Sequence, residues 1–172
     1  LDFPASFMLI ASMNPCPCGF FNHPDKECTC GPGVVQKYLG KISGPLLDRI
    51  DLHVEVTPVP FGEISSAKEF EKSEAIRSRV IKAREIQSER YAQHEGVYAN
   101  SQMTSKMLKE ICEISTAGQT LLKTAMERLN LSARAYDRIL KVSRTIADLA
   151  GKPNILPEHL AEAIQYRSLD RE

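Results

Sequence analysis

Neither sign of charge predominates in this 172-residue sequence, in which 22 Lys and Arg stand against 22 Asp and Glu. A stand-alone nucleic-acid binder carries a basic excess, so any such contact here has to be local or shared among copies. No apolar run reaches the ~20 residues that cross a bilayer, and residues 1–13 lack the charged start of a secretory signal. A cytoplasmic protein is the expectation, with no membrane partner. The phosphate-cradling pattern G-x-x-x-x-G-K-[ST] is missing, as is an acidic strand end that could hold magnesium beside it. That excludes a self-contained nucleoside triphosphate site. No internal repeat is evident, and no convincing strand follows Ser66. The opening Leu1-Asp2-Phe3-Pro4 has no initiator Met and runs at once into an apolar segment, so it reads as cut from something longer.

What is present is ordinary for a folded protein: 42% apolar and 26% charged residues. The length suits one sizeable core, or a small domain plus part of another. Phe7-Met8-Leu9-Ile10-Ala11-Ser12-Met13 is a continuous apolar run of strand length, as in the centre of a parallel sheet, and it stops at Asn14-Pro15. Pro32 can open a short helix through Val34, Val35, Tyr38 and Leu39, and residues 43–49 read as a tight turn with a helical piece. Leu52 to Val56 alternates in strand fashion before Pro58 and Pro60. Residues 67–94 suit a long charged helix with a thin stripe of Phe70, Ile76, Val80 and Ala83. Its mixed charges, among them Lys72, Arg77 and Arg84 with Glu71, Glu74 and Glu89, read as a solvated face.

Four shorter helices follow. Thr104 caps one carrying Met107, Leu108 and Ile111. Another runs from about Thr116 to Leu129, with Leu121, Leu122, Ala125, Met126 and Leu129 inward. Ser132 caps a third with Ala135, Ile139, Val142, Ile146 and Leu149 at spacings of three and four, ended by Gly151-Lys152-Pro153. Pro157 opens the last, with Leu160, Ala161 and Ile164 inward. Four such helices in succession imply a compact bundle. The fold class expected is mostly α, a helical bundle attached to a remnant of an α/β sheet.

Four of five cysteines, Cys16, Cys18, Cys28 and Cys30, fall in the pattern C-x-C-x9-C-x-C. Their loop, 15–33, holds four prolines and three glycines and little apolar material beyond Phe20 and Phe21. Paired cysteines in a reducing compartment point to metal binding or redox chemistry more than to disulfides. Four thiolates suit tetrahedral zinc, although C-x-C is tighter than the usual C-x2-C knuckle. The alternatives are reduced packing cysteines, or a set in which His23 replaces one thiolate. Cys112, alone on an apolar helical face, reads as a small core residue.

Three pieces in order carry a resemblance: the strand ending in Met13-Asn14-Pro15-Cys16-Pro17-Cys18-Gly19; Ser43-Gly44-Pro45-Leu46-Leu47-Asp48-Arg49-Ile50-Asp51; and Leu131-Ser132-Ala133-Arg134-Ala135-Tyr136. Together they resemble the second half of AAA+ ATPases, in the magnesium-chelatase-like branch that includes the competence-associated ComM-type proteins. The resemblance implies that residues 1–60 are the C-terminal part of the α/β core, 61–98 a linker and long helix, and 99–172 the helical lid. It implies Asn14 as sensor 1, Arg49 as an arginine finger acting on a neighbouring subunit's nucleotide, and Arg134 as sensor 2. Those roles suit the side chains. A neutral amide can orient water or touch the γ-phosphate without adding charge, and a guanidinium can neutralise charge that builds there.

Each residue also has a plainer explanation. Asn14 could merely end a strand; Arg49 could pair with Asp48 or Asp51; Arg134 could be one exposed arginine beside Arg138 and Arg144 on its helix. The resemblance further implies ATP with Mg as substrate and cofactor, a ring, expected to be a hexamer, and DNA remodelling such as branch migration. Alternatives are the motor subunit of a magnesium chelatase that inserts metal into a tetrapyrrole, and a non-enzymatic helical interaction module stapled by zinc.

Overall fold

The computed structural model describes residues 7–59, 62 and 70–167. The chain divides into two compact units, one running to Ser43 and the other starting at Gly44. The turn at 44–47 and the described segment after it fall within the second unit.

In the first unit the loop folds through tight turns, with the Gly19 N–H donating to the Cys16 carbonyl at 3.0 Å and the His23 N–H to Phe20 at 3.1 Å. Gly19 and Gly33 sit at φ of 82° and 76°, the left-handed region that a Cβ disfavours. Gly33 precedes α1 (Val34–Leu39), the short helix expected after Pro32. Residues 7–13 form no strand and lie open, with Phe7, Met8 and Ile10 about four-fifths exposed. The sequence reading of a strand buried on both faces fails in this chain for a physical reason. A lone extended segment has no partner for its backbone N–H and C=O groups, and no second layer against which to bury side chains.

The second unit starts with α2 (Gly44–Leu47), a single turn that continues through bonds from Asp48 N–H to Gly44 O and Arg49 N–H to Leu46 O, both 2.9 Å. Residues 52–56 are likewise not a strand. Only His53 is buried there, and its N–H donates to the Tyr166 carbonyl at 2.8 Å. The long helix α3 spans Ser73–Arg90, shorter than the expected 67–94, of which 67–69 lie outside the described residues. Of the expected stripe Ala83 is buried, in a row continued by Gln87 and then Tyr91. Phe70, Ile76 and Val80 are exposed because only the C-terminal half of α3 packs on the bundle.

The bundle itself follows the sequence closely. It comprises α4 (Ser105–Ile111), α5 (Thr116–Arg128), α6 (Ala133–Leu149) and α7 (Pro157–Gln165). Thr104, Ser115 and Ser132 each accept a backbone N–H three residues on, from Met107, Gly118 and Ala135, which satisfies donors that a helix start leaves free. Met107, Leu108, Cys112, Leu122, Ile139, Leu140, Leu160 and Ile164 form the core with Tyr91, Met103 and Ile155. Burying each large aliphatic group contributes about 1.5–3 kcal/mol. Two inward assignments change. Leu149, the last residue of α6, is 43% exposed, and Ala163 rather than Ala161 is the buried alanine of α7 beside Leu160. Among the described residues no helix is long and apolar enough to cross a membrane.

Candidate functional site

In the first unit, the chain reversal at 19–27 returns Cys28 and Cys30 to Cys16 and Cys18. All four Sγ atoms lie within 4.8 Å of one another. Cys16 and Cys18 are 3.3 Å apart, Cys18 and Cys28 3.5 Å, and Cys16 and Cys28 3.7 Å. These spacings are far too long for a disulfide bond of about 2.0 Å. They are near the sulfur separation of about 3.8 Å that a tetrahedron with 2.3 Å metal–sulfur arms requires. The C-x-C spacing is thus compatible with a four-thiolate cradle. Cys16 is fully buried and accepts the Phe21 N–H at 3.3 Å, an outer contact of the kind that orients a ligand. His23 accepts the Asp25 N–H on Nδ1 at 3.0 Å and is not among the four clustered side chains.

The thiols titrate as a group. The Phe20 N–H, more than any other influence, holds Cys18 down to about 5. Cys28 feels a lowering pull from the Cys30 N–H, but desolvation and the neighbouring thiols outweigh it and push it up to about 12. Cys16 is likewise lowered and Cys30 raised, the split expected where four thiolates would repel one another without a cation between them. Asn14 lies two residues before Cys16, exposed, at the end of the open apolar segment.

The second unit holds the two arginines. Arg49 is exposed at the end of the α2 turn, and its Nη1 donates to the Pro45 carbonyl at 2.8 Å. The carboxylates either side of it are engaged elsewhere. Asp51 pairs with Arg138, and Asp48 lies 3.8 Å from Nη2 of Arg167. The plainer explanation of Arg49, a structural pair with a neighbouring Asp, is therefore not what this geometry contains. Arg134 sits in the first turn of α6, exposed and without an ion pair among the described residues.

The other two arginines of α6 have structural partners. Arg138 binds the α2 turn. Arg144 is buried, donating to Asp148 at 3.1 Å and to the carbonyls of Lys152 and Pro153 at 2.6 and 2.7 Å. Asp148 also accepts from Arg90 on α3 and from the Asn100 amide, at 2.7 and 2.8 Å. Sequence reasoning missed Arg138, Arg167 and this buried network. The available signal was Leu140-Arg144-Asp148, a charged pair placed at i,i+4 on an otherwise apolar row.

The chain matches the family described as magnesium chelatase, subunit ChlI, over residues 1–64, and that described as magnesium chelatase, subunit ChlI C-terminal, over residues 70–167. It is 41% identical to the competence protein ComM of Haemophilus influenzae, over 99% of this chain and 32% of that protein. It is 37% identical to YifB of Escherichia coli, over 99% of this chain and 33% of YifB. The chain thus spans about a third of the length of the curated relatives it matches. The two consecutive family matches leave only short segments uncovered, and the chain belongs to the magnesium-chelatase-like family of AAA+ proteins, alongside ComM and YifB.

Proposed function

We propose that this chain supplies the sensor and arginine-finger part of the ATP site of a ring-forming AAA+ ATPase, expected to be a hexamer acting in the cytoplasm. In hydrolysis water attacks the γ-phosphorus, the bond to the bridging oxygen breaks, and ADP and phosphate leave. Asn14 would orient that water or the γ-phosphate as sensor 1. Arg49 would stabilise the charge on the transferring group in the neighbouring subunit, and Arg134 would hold phosphate as sensor 2. Magnesium bound with the nucleotide would neutralise charge on the phosphates, which Arg49 and Arg134 would complement.

The observation that carries the reading is Arg49: exposed on a rigid turn, braced by a carbonyl, with both adjacent carboxylates occupied by other arginines. Arg49→Ala in the full-length protein should lower ATP turnover on the order of 10³-fold or more while nucleotide binding persists. Unchanged turnover would rule the role out.

The work done with that energy is proposed to be DNA remodelling, branch migration included, in keeping with the likeness to a competence protein. The family description favours a second reading, a motor for metal insertion into a tetrapyrrole. Stimulation of ATP turnover by branched DNA supports the first; indifference to DNA supports the second. Cys16, Cys18, Cys28 and Cys30 are proposed to hold one structural zinc, which would staple a loop that has little core of its own. Elemental analysis of protein purified without added metal should give one zinc per chain, and an ordered loop in metal-free protein would exclude it.

A further inference from the structure

Two arginines far away in sequence grip the backbone on both sides of Arg49. On α6, Arg138 donates through Nε to the Asp48 carbonyl at 2.9 Å and through Nη1 to the Asp51 carboxylate. After α7, Arg167 donates through Nη1 to the Ile50 carbonyl, with Nη2 facing the Asp48 carboxylate at 3.8 Å. The His53 N–H adds its bond to the Tyr166 carbonyl. Residues 48, 50, 51 and 53 are thus all tied to the helical bundle, while the Arg49 side chain between them is exposed and donates to the Pro45 carbonyl. Arg167 is almost wholly buried, at 1% exposure, and Arg138 is about a quarter exposed. A guanidinium fork fixes two acceptors at once in a set geometry, which a lysine ammonium cannot do.

We propose that Arg138 and Arg167 are positioning residues for Arg49, clamping the turn that aims it. Arg138 lies one helical turn from Arg134, so α6 carries sensor 2 and half of the clamp together. The finger turn and the sensor 2 helix then move as one piece, and a shift of the lid is a shift of the finger. The inference rests on the proposed role of Arg49. Aiming a group costs little in binding and much in rate when it is lost, because an error of about 1 Å can cost on the order of 10²-fold.

The test is steady-state ATP turnover of full-length Arg138→Ala, Asp51→Asn, Arg49→Ala and the double variant Arg49→Ala/Arg138→Ala. Asp51 is half exposed, so its replacement weakens the clamp without opening the core. The expected result is a kcat about 10-fold to 100-fold lower for Arg138→Ala and a smaller fall for Asp51→Asn. In both, KM for ATP should be little changed. The double variant should be no slower than Arg49→Ala alone, because the clamp acts through that side chain. If Arg49→Ala is slow while Arg138→Ala and Asp51→Asn turn over at the normal rate, the clamp is wrong and the finger stands. A double variant markedly slower than Arg49→Ala makes Arg138 a general structural residue and also overturns the clamp. Normal turnover of Arg49→Ala removes the finger and the clamp together.

Discussion

Replacing Asp148 by Asn should damage the helical unit more than any surface substitution. The carboxylate is wholly buried and faces two guanidiniums, those of Arg144 at 3% exposure and Arg90 at 18%. It also accepts the Asn100 amide, whose own oxygen receives the Tyr91 hydroxyl at 2.7 Å. This one acid therefore joins α3, the 3-10 turn Asn100–Gln102 and α6. Removing its charge leaves a buried guanidinium uncompensated and offers an amide N–H₂ where an acceptor is needed. Breaking a buried pair from one side costs about 3–5 kcal/mol. Set against a total stability on the order of 5–15 kcal/mol, that is a large fraction. With a urea slope of about 1–3 kcal/mol per molar, the midpoint should fall by about 2 M. Equilibrium unfolding followed by circular dichroism measures it directly. Arg79→Ala is the control: Arg79 pairs with Glu71, but both side chains are about half exposed, so the change should stay within about 0.5 kcal/mol. An Asp148→Asn variant within about 1 kcal/mol of the parent would refute the reasoning, since the typical cost of a broken buried pair is several times that.

Gly118→Ala on α5 should destabilise by about 1–2 kcal/mol despite alanine's better helix propensity, seen as a lower melting temperature. An added Cβ would meet Leu160 Cδ1 at 2.9 Å, and Leu160 is fully buried, so its shift has to be taken up within the core. Burial pushes the Cys112 thiol up to about 11, so it stays protonated at pH 8. It should resist iodoacetamide in the native protein and react once urea exposes it, as mass spectrometry would record.

The lid helices were legible because each carries its own instructions. Ser132 and Thr104 cap, Pro157 starts, Gly151 stops with φ of 63°, and the apolar residues recur at helical spacing. The segments 7–13 and 52–56 were misjudged because strand pattern describes what a segment could pair with, not whether its partner lies in the same chain. In α3 Ala83 was legible as inward, but Gln87 was not, because it contributes to the buried face through its side-chain oxygen, which accepts the Asn100 N–H at 3.2 Å. The three arginines of α6 look alike in sequence and differ only in what stands opposite them: solvent for Arg134, the α2 turn for Arg138, and Asp148 for Arg144. The cysteine pairs announced their cluster by spacing, but only the folded loop brings all four sulfurs within 4.8 Å.

The central claim is that Arg49 acts on a neighbour's nucleotide, and mixing two inactive proteins tests it most directly. One is full-length Arg49→Ala. The other keeps Arg49 but has its phosphate-binding loop disabled. In a mixed ring, an intact nucleotide site on the first comes to lie beside an intact finger on the second. ATP turnover should then reappear on mixing and vary with the ratio of the two. If the mixture stays as inactive as its components while mixed rings demonstrably form, Arg49 does not act across the subunit boundary and the account fails.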